Sequence, residues 1–237
     1  MENLKYKTIM KIFIKFLFVG IMCILSTNSY SQTIGFKAGL NLSNLDSYSN
    51  HGQEGRNDYY SYSLKPNSGF LLGATVEFPL TKLFSLETGL LLTTKGYKYN
   101  FTYDDYINRT TSDSKTNAKF YYIELPLNVK ATFDFGKTKP YGILGPYIGH
   151  LFGKSYKSET TMNGETNKIN SCFNWVPGGN SRIDFGLNIG IGIAINAVQF
   201  GVTYSLGLAK SMSNPGSGYG AKNRVLGITI GYNLLKK

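Results

Sequence analysis

Seven ionisable side chains stand out by position. Lys37, Glu77, Glu87, Lys95, Glu124, Lys130 and Asp184 all fall on the small-residue side of segments in which large apolar residues take every second place. Four carboxylates and three ammonium groups sharing such a face can pair into a closed polar network that plugs a narrow interior, or they can relay protons or ions. A buried charge is costly unless it is paired, and the near balance of signs favours the network. Support for catalysis is thin. The two histidines, His51 and His150, have no Ser/acid partners at a recognisable spacing, and no Cys/His cluster is spaced for zinc. A site at the rim of the fold, with His150 near Ser155, Glu159 or Asp184, is the one constellation that a lipid hydrolase or acyltransferase would use. The spacing of Gly186, Gly190 and Gly192 does not make a phosphate loop, because no helix follows it. The expectation is a non-catalytic protein with no metal and no cofactor.

The elements that carry these residues read as strands. Ile183, Phe185, Leu187, Ile189, Ile191, Ile193 and Ile195 alternate without error against Asp184, Gly186, Asn188, Gly190, Gly192, Ala194 and Asn196, which marks a strand with two chemically different faces. Residues 198–208 and 225–234 repeat the pattern. Noisier versions begin at Ile34, at Phe70 and at Phe84, the last running to about Tyr97, and a clean one spans Tyr121 to Phe133 with Glu124 and Lys130 on its polar side. The fifth strand, about residues 141–152, contains Gly145-Pro146, expected as a bulge that decides which face His150 takes. Eight strands result. Their connections alternate in length: 79–83, 134–139 and 196–197 are short, whereas 45–67, 100–118, 154–181 and 210–223 are long and polar. Asn163-Gly164 has the composition of a type I′ turn that would extend a hairpin beyond the rim. Tyr48, Tyr59, Tyr60, Tyr62, Tyr99, Tyr103 and Tyr106 gather in or beside the first two long segments. They suit an aromatic girdle or a surface that binds a protein or glycan.

Composition limits the alternatives. Only 16% of the 237 residues are charged, while 27 Gly, 18 Tyr and 15 Phe argue against both disorder and a helical bundle. No apolar run reaches the roughly 20 residues of a membrane-spanning helix. Residues 1–31 have the three parts of a secretory signal: Lys5, Lys7, Lys11 and Lys15, then the apolar run from Phe16 to Leu25, then small residues before Gln32. The remaining chain, 32–237, is expected to be one domain. It carries 21 basic and 13 acidic residues, a net charge of +8, and one cysteine, Cys172, so it has no disulfide framework. The basic excess is scattered, which argues against nucleic acid.

An exported eight-stranded antiparallel up-and-down barrel comes in two inverted forms. A soluble lipocalin-like barrel keeps apolar side chains inside for a ligand, whereas a transmembrane barrel turns them to lipid and packs small and polar side chains within. The Gly, Asn, Thr and Ser of the second face suit a crowded interior better than a surface in water, and short turns beside long loops fit the membrane form. The stretches 36–43 (FKAGLNLS), 122–127 (YIELPL) and 140–147 (PYGILGPY) resemble the outer-membrane β-barrel domain of PorT-like proteins. The resemblance covers nearly the whole exported chain. It implies an integral outer-membrane barrel of a Gram-negative bacterium, in a family whose eponymous member is associated with secretion. The chain departs from the usual terminal aromatic residue by ending Asn233-Leu234-Leu235-Lys236-Lys237, with Tyr232 the nearest substitute. Outer-membrane lipid is the expected partner, together with an extracellular or envelope protein met through the long loops.

Overall fold

Alternation along the sequence becomes continuous backbone pairing in the computed structural model, which describes residues 32–46, 51–54, 58–105, 107, 109–175, 183–209, 212–213 and 220–236. The export signal at 1–31, Tyr48 and Tyr106 lie outside the described residues, as do the side chains of His51, Tyr59, Tyr60, Tyr62 and Cys172. The strands are β1 (Thr33–Leu45), β2 (His51–Glu54), β3 (Asp58–Pro79), β4 (Phe84–Asp105), β5 (Thr110–Thr132) and β6 (Thr138–Met162). They continue with β7 (Glu165–Trp175), β8 (Ile183–Ile195), β9 (Val198–Gly207), β10 (Met212–Ser213), β11 (Gly220–Ala221) and β12 (Asn223–Lys236).

Eight of these close into the expected antiparallel ring, in the order β1, β12, β9, β8, β6, β5, β4, β3 and back to β1. The closing strand pairs on both edges: Thr33 faces Lys236 on one side and Glu77 on the other. Neighbours in the ring follow one another in sequence apart from the small additions. β2 pairs only with β3, β7 pairs with the end of β6, and β10 with β11 forms a separate ribbon.

Three tight turns join strands at one end. At 80–83, Thr81 Oγ1 accepts from the Leu83 and Phe84 amides, at 3.2 and 2.9 Å. Asp134 Oδ1 accepts from the Gly136 amide at 2.9 Å, and Gly136 takes a φ of 77°, where a Cβ would be strained. Asn196 adopts a φ of 53° in the β8–β9 turn. In transmembrane barrels such turns face the periplasm and the longer connections face outward.

The two faces of the wall are chemically separate. Outward residues are large and apolar: Ile191 is 72% exposed, Leu40 71% and Ile189 53%. Phe84, Phe133, Phe135 and Tyr232 are exposed near the short turns, and Phe70 and Phe185 toward the opposite end, the arrangement of two aromatic girdles flanking an apolar band. The lipocalin-like alternative, with apolar side chains inward, is thereby overturned.

Three expectations about the chain path change. Much of the sequence read as long loops is strand, because β3 to β6 have 22, 22, 23 and 25 residues, against roughly 9–11 needed to cross a bilayer. β1, β8, β9 and β12 have only 13, 13, 10 and 14. In water both faces of a strand can be polar, so the extensions pair without the apolar alternation that marks the membrane portion. Asn163 and Gly164 do form the two-residue turn, with φ of 49° and 88°, but the returning strand is the added β7 and not the next member of the ring. At Gly145-Pro146 there is no bulge. The register of β6 against β5 and β8 runs straight through it, and the shift comes at Tyr121/Tyr122, where Tyr121 faces Gly153 and Tyr122 faces Leu151. His150 is therefore exposed on the outer face, opposite Ile123 and Ile183.

Ile189 stands midway along β8, at the depth of the bilayer centre. Ile189→Arg is expected to lower folding stability by about 2–4 kcal/mol, while Ile189→Leu leaves it unchanged. Equilibrium unfolding from lipid vesicles measures both, and an unaltered Ile189→Arg midpoint contradicts lipid exposure.

Candidate functional site

The seven charges predicted to share an interior come from five strands, and the structure gathers them into two clusters. Toward the short turns, Lys37 of β1 donates to Glu87 Oε1 at 2.7 Å. Lys130 of β5 donates to Glu77 Oε2 at 2.8 Å and to Gln199 Oε1 of β9 at 3.2 Å, with Glu87 Oε2 4.0 Å away. Ser85 Oγ donates to the second oxygen of Glu77 at 2.6 Å. Toward the other end, Lys95 of β4 lies 2.8 Å from both Glu124 Oε2 and Asp184 Oδ2. Tyr147 OH and Asn223 Nδ2 donate to the same Asp184 oxygen, at 3.3 and 3.0 Å. Lys95 and Asp184 are 2% and 1% exposed.

These bonds cross the lumen. β4 and β8 are separated in the ring by β5 and β6, and β5 and β9 by β6 and β8, so the Lys95–Asp184 and Lys130–Gln199 contacts reach over intervening wall. Between the clusters lies a polar layer in which Asn41 Nδ2 donates to Thr93 Oγ1 and Ser205 Oγ to Asn188 Oδ1, each at 2.7 Å. The remaining cavity is about 50 Å³ and is lined by Lys37, Glu87, Lys95, Glu124, Asn128 and Asn188 among others. That volume has room for a few waters.

Tyrosines complete the packing, and sequence reasoning missed them. Lys95 Nζ lies 4.2 Å from the Tyr147 ring centroid and 5.3 Å from that of Tyr122, and Lys130 Nζ lies 4.4 Å from that of Tyr141, within the range of cation–π attraction. Their bulk is accommodated by absent side chains opposite. A Cβ on Gly186 would stand 2.8 Å from Tyr147 Cε1, and one on Gly201 would stand 2.9 Å from the Tyr141 hydroxyl. The usable signal was parity in β6, where Tyr141, Ile143, Gly145 and Tyr147 share the inner face, but the bulge expected at Gly145-Pro146 obscured it.

The rim constellation does not assemble. His150 is exposed on the outside of β6, whereas Asp184 is buried on the lumen side. Glu159 lies nine residues further along the same strand, roughly 30 Å away at about 3.3 Å per residue, and pairs with Lys168 at 3.1 Å. Among the described residues no group of three or more His, Cys, Asp or Glu could hold a metal ion.

A closed antiparallel ring with an apolar exterior and a plugged polar interior defines an integral outer-membrane barrel. The chain belongs to the family described as outer membrane protein beta-barrel domain, whose model matches residues 30–213. It is a protein of the outer membrane. Among solved structures it is similar to the attachment invasion locus protein Ail of Yersinia pestis, at 13% identity over 87% of this chain and 100% of that one, with a TM-score of 0.38. Neisserial surface protein A matches at 13% identity over 85% and 97%, and OprG from Pseudomonas aeruginosa at 13% over 86% and 96%, each with a TM-score of 0.41. No curated protein matches the chain.

Lys95 holds two carboxylates, so Lys95→Ala strands both and is expected to cost about 3–5 kcal/mol, more than Glu124→Ala. Lys139 and Asp134 form an exposed pair at a turn, and Lys139→Ala should change stability by less than about 1 kcal/mol. Denaturant midpoints of the three variants test this order. Equal midpoints for Lys95→Ala and Lys139→Ala would show that the buried cluster does not hold the barrel together.

Proposed function

We propose that this protein is a non-catalytic display barrel: the charge clusters close its lumen, and the wall that rises above the membrane presents a binding surface to a protein, in adhesion or within an envelope assembly. The observation that carries the reading is the length of β3 to β6. Insertion and closure require about half of it. The excess is neither loose loop nor lumen wall, because it continues as a paired ledge widened by β2 and β7. Paired backbone supplies a stiff surface that loses little conformational entropy on binding. Tyr99, Phe101 and Tyr103 follow one another on one face of β4, and tyrosine provides flat amphipathic contact area. The PorT-like stretches at 36–43, 122–127 and 140–147 favour an envelope assembly as the setting. Outer-membrane lipid is the partner along the apolar band.

Two measurements test the reading. Pure protein in a planar bilayer is expected to give no stable porin-sized conductance, and reproducible steps of that size would refute the closed lumen. A photo-activatable residue at Tyr99, Phe101 or Tyr103 should yield a discrete protein adduct in intact cells, absent with the same residue at Ile189. No adduct from any ledge position would refute the docking surface.

A further inference from the structure

The ledge has two faces, and one of them is charged. Side chains alternate along a strand, so Lys98 and Asn100 of β4 lie on the face opposite to Tyr99, Phe101 and Tyr103. Residues opposite one another in a register share a face. Lys65 is opposite Lys98, Lys98 opposite Asn117, and Asn117 opposite Lys157, so the four form one row across β3, β4, β5 and β6. On β5, Lys115 stands in the next row and Lys119 in the row before, and the registers run without a shift through these rows. Five ammonium groups are thus gathered on one face, and Lys65, Lys98, Lys115 and Lys157 are exposed. Like charges directly opposite each other destabilise a sheet, yet Lys65 faces Lys98. Among the described residues no carboxylate lies within ion-pair distance of any of the five, while Glu159 on the same face pairs with Lys168 at 3.1 Å and Asp113 accepts from Thr102 Oγ1 at 2.7 Å. Such a grouping costs the sheet and is answered only by an anion from outside it.

What surrounds the lysines narrows the ligand. Protein interfaces depend on aromatic or aliphatic anchors buried near their centre. This face offers none there: within the rows of Lys98 and Lys115 the other members are Ser63, Asn100, Asn117, Asn170 and the Glu159–Lys168 pair. Amides and hydroxyls both donate and accept hydrogen bonds, which matches the hydroxyls of a sugar. Asn117 Oδ1 accepts from Asn67 Nδ2 at 2.7 Å, which fixes the middle of the row. A recess of about 310 Å³ is lined by Lys98, Asn100, Lys115, Lys157 and Asn170 among others. Lys65 and Lys98 sit one strand apart and Lys98 and Lys157 two, about 5 and 10 Å at the usual strand spacing. Cations so spaced, with an amide between, suit a chain that carries no more than one anionic group per sugar.

We infer that this face binds a linear polysaccharide of the uronate type, laid along the row from β3 to β6. The lysines meet its carboxylates, and Asn100 and Asn170 meet its hydroxyls. The site stands apart from the tyrosine face of the same ledge and does not depend on a protein docking there. It is tested on the full chain folded in detergent, by biolayer interferometry with polygalacturonate, neutral dextran, poly-L-glutamate and dextran sulfate as separate probes. Wild type is expected to bind polygalacturonate above the other three when the charged polymers are matched in molar charge. The combined variant Lys65→Gln, Lys98→Gln, Lys157→Gln, shown to be folded by heat-modifiable gel mobility, should bind it about ten-fold or more weakly. Lys82→Gln, Lys137→Gln, Lys139→Gln removes the same charge at and beside the short turns and should bind as wild type does. Undiminished binding by the first folded variant, or an equal loss in the second, would overturn the assignment. So would dextran, poly-L-glutamate or dextran sulfate binding as tightly as polygalacturonate, since each outcome would point to a different occupant or to diffuse charge alone.

Discussion

Inside hydrocarbon an unpaired backbone N–H or C=O has no water to turn to and costs several kcal/mol. The chain meets this constraint at β1, which bonds to β3 along one edge and to β12 along the other. Closure removes every edge from the membrane, and it constrains both faces of the wall. A ring of eight strands is only wide enough for side chains to fill, so the inward positions must be small or must interlock, and the outward ones must dissolve in lipid. Both demands are visible in β8, where Gly186 and Gly190 alternate with Leu187, Ile189 and Ile191.

A narrow interior also sets terms for charge. Lys95, Lys130 and Lys37 are tolerated because each ammonium finds carboxylate oxygens within 2.8 Å, and two of them are further faced by tyrosine rings. The attraction across the lumen opposes the outward curvature of the wall, while Tyr141 and Tyr147 occupy space that Gly201 and Gly186 leave open. Polarity inside and packing inside are the same arrangement seen twice. Removing either partner of such a pair leaves a charge or a void in a place that water barely reaches.

How much of this could be read from the chain depends on where contrast exists. Within the membrane the two faces meet lipid and a packed lumen, so the alternation in residues 183–195 is strict and the seven interior charges can be named from parity. Beyond the membrane both faces meet water. Segments such as 100–105 and 154–162 then lose the apolar signature of a strand while keeping its hydrogen bonds, and their composition of Ser, Thr, Asn and Tyr reads as loop. Which cation meets which anion was not legible either. Lys95 and Asp184 are brought together by the diameter of the ring, a quantity that no local spacing encodes. The supporting tyrosines were hidden by a misplaced irregularity: Gly145-Pro146 continues the register, and the shift occurs at Tyr121/Tyr122.

The unequal strand lengths give the perimeter of the barrel a tall side and a low side. Along β8, β9, β12 and β1 the ring strands have 13, 10, 14 and 13 residues. Along β3 to β6 they have 22 to 25, so the wall continues well past the length that crosses a bilayer. The protein therefore has a direction within the plane of the membrane as well as across it, set by strand length alone.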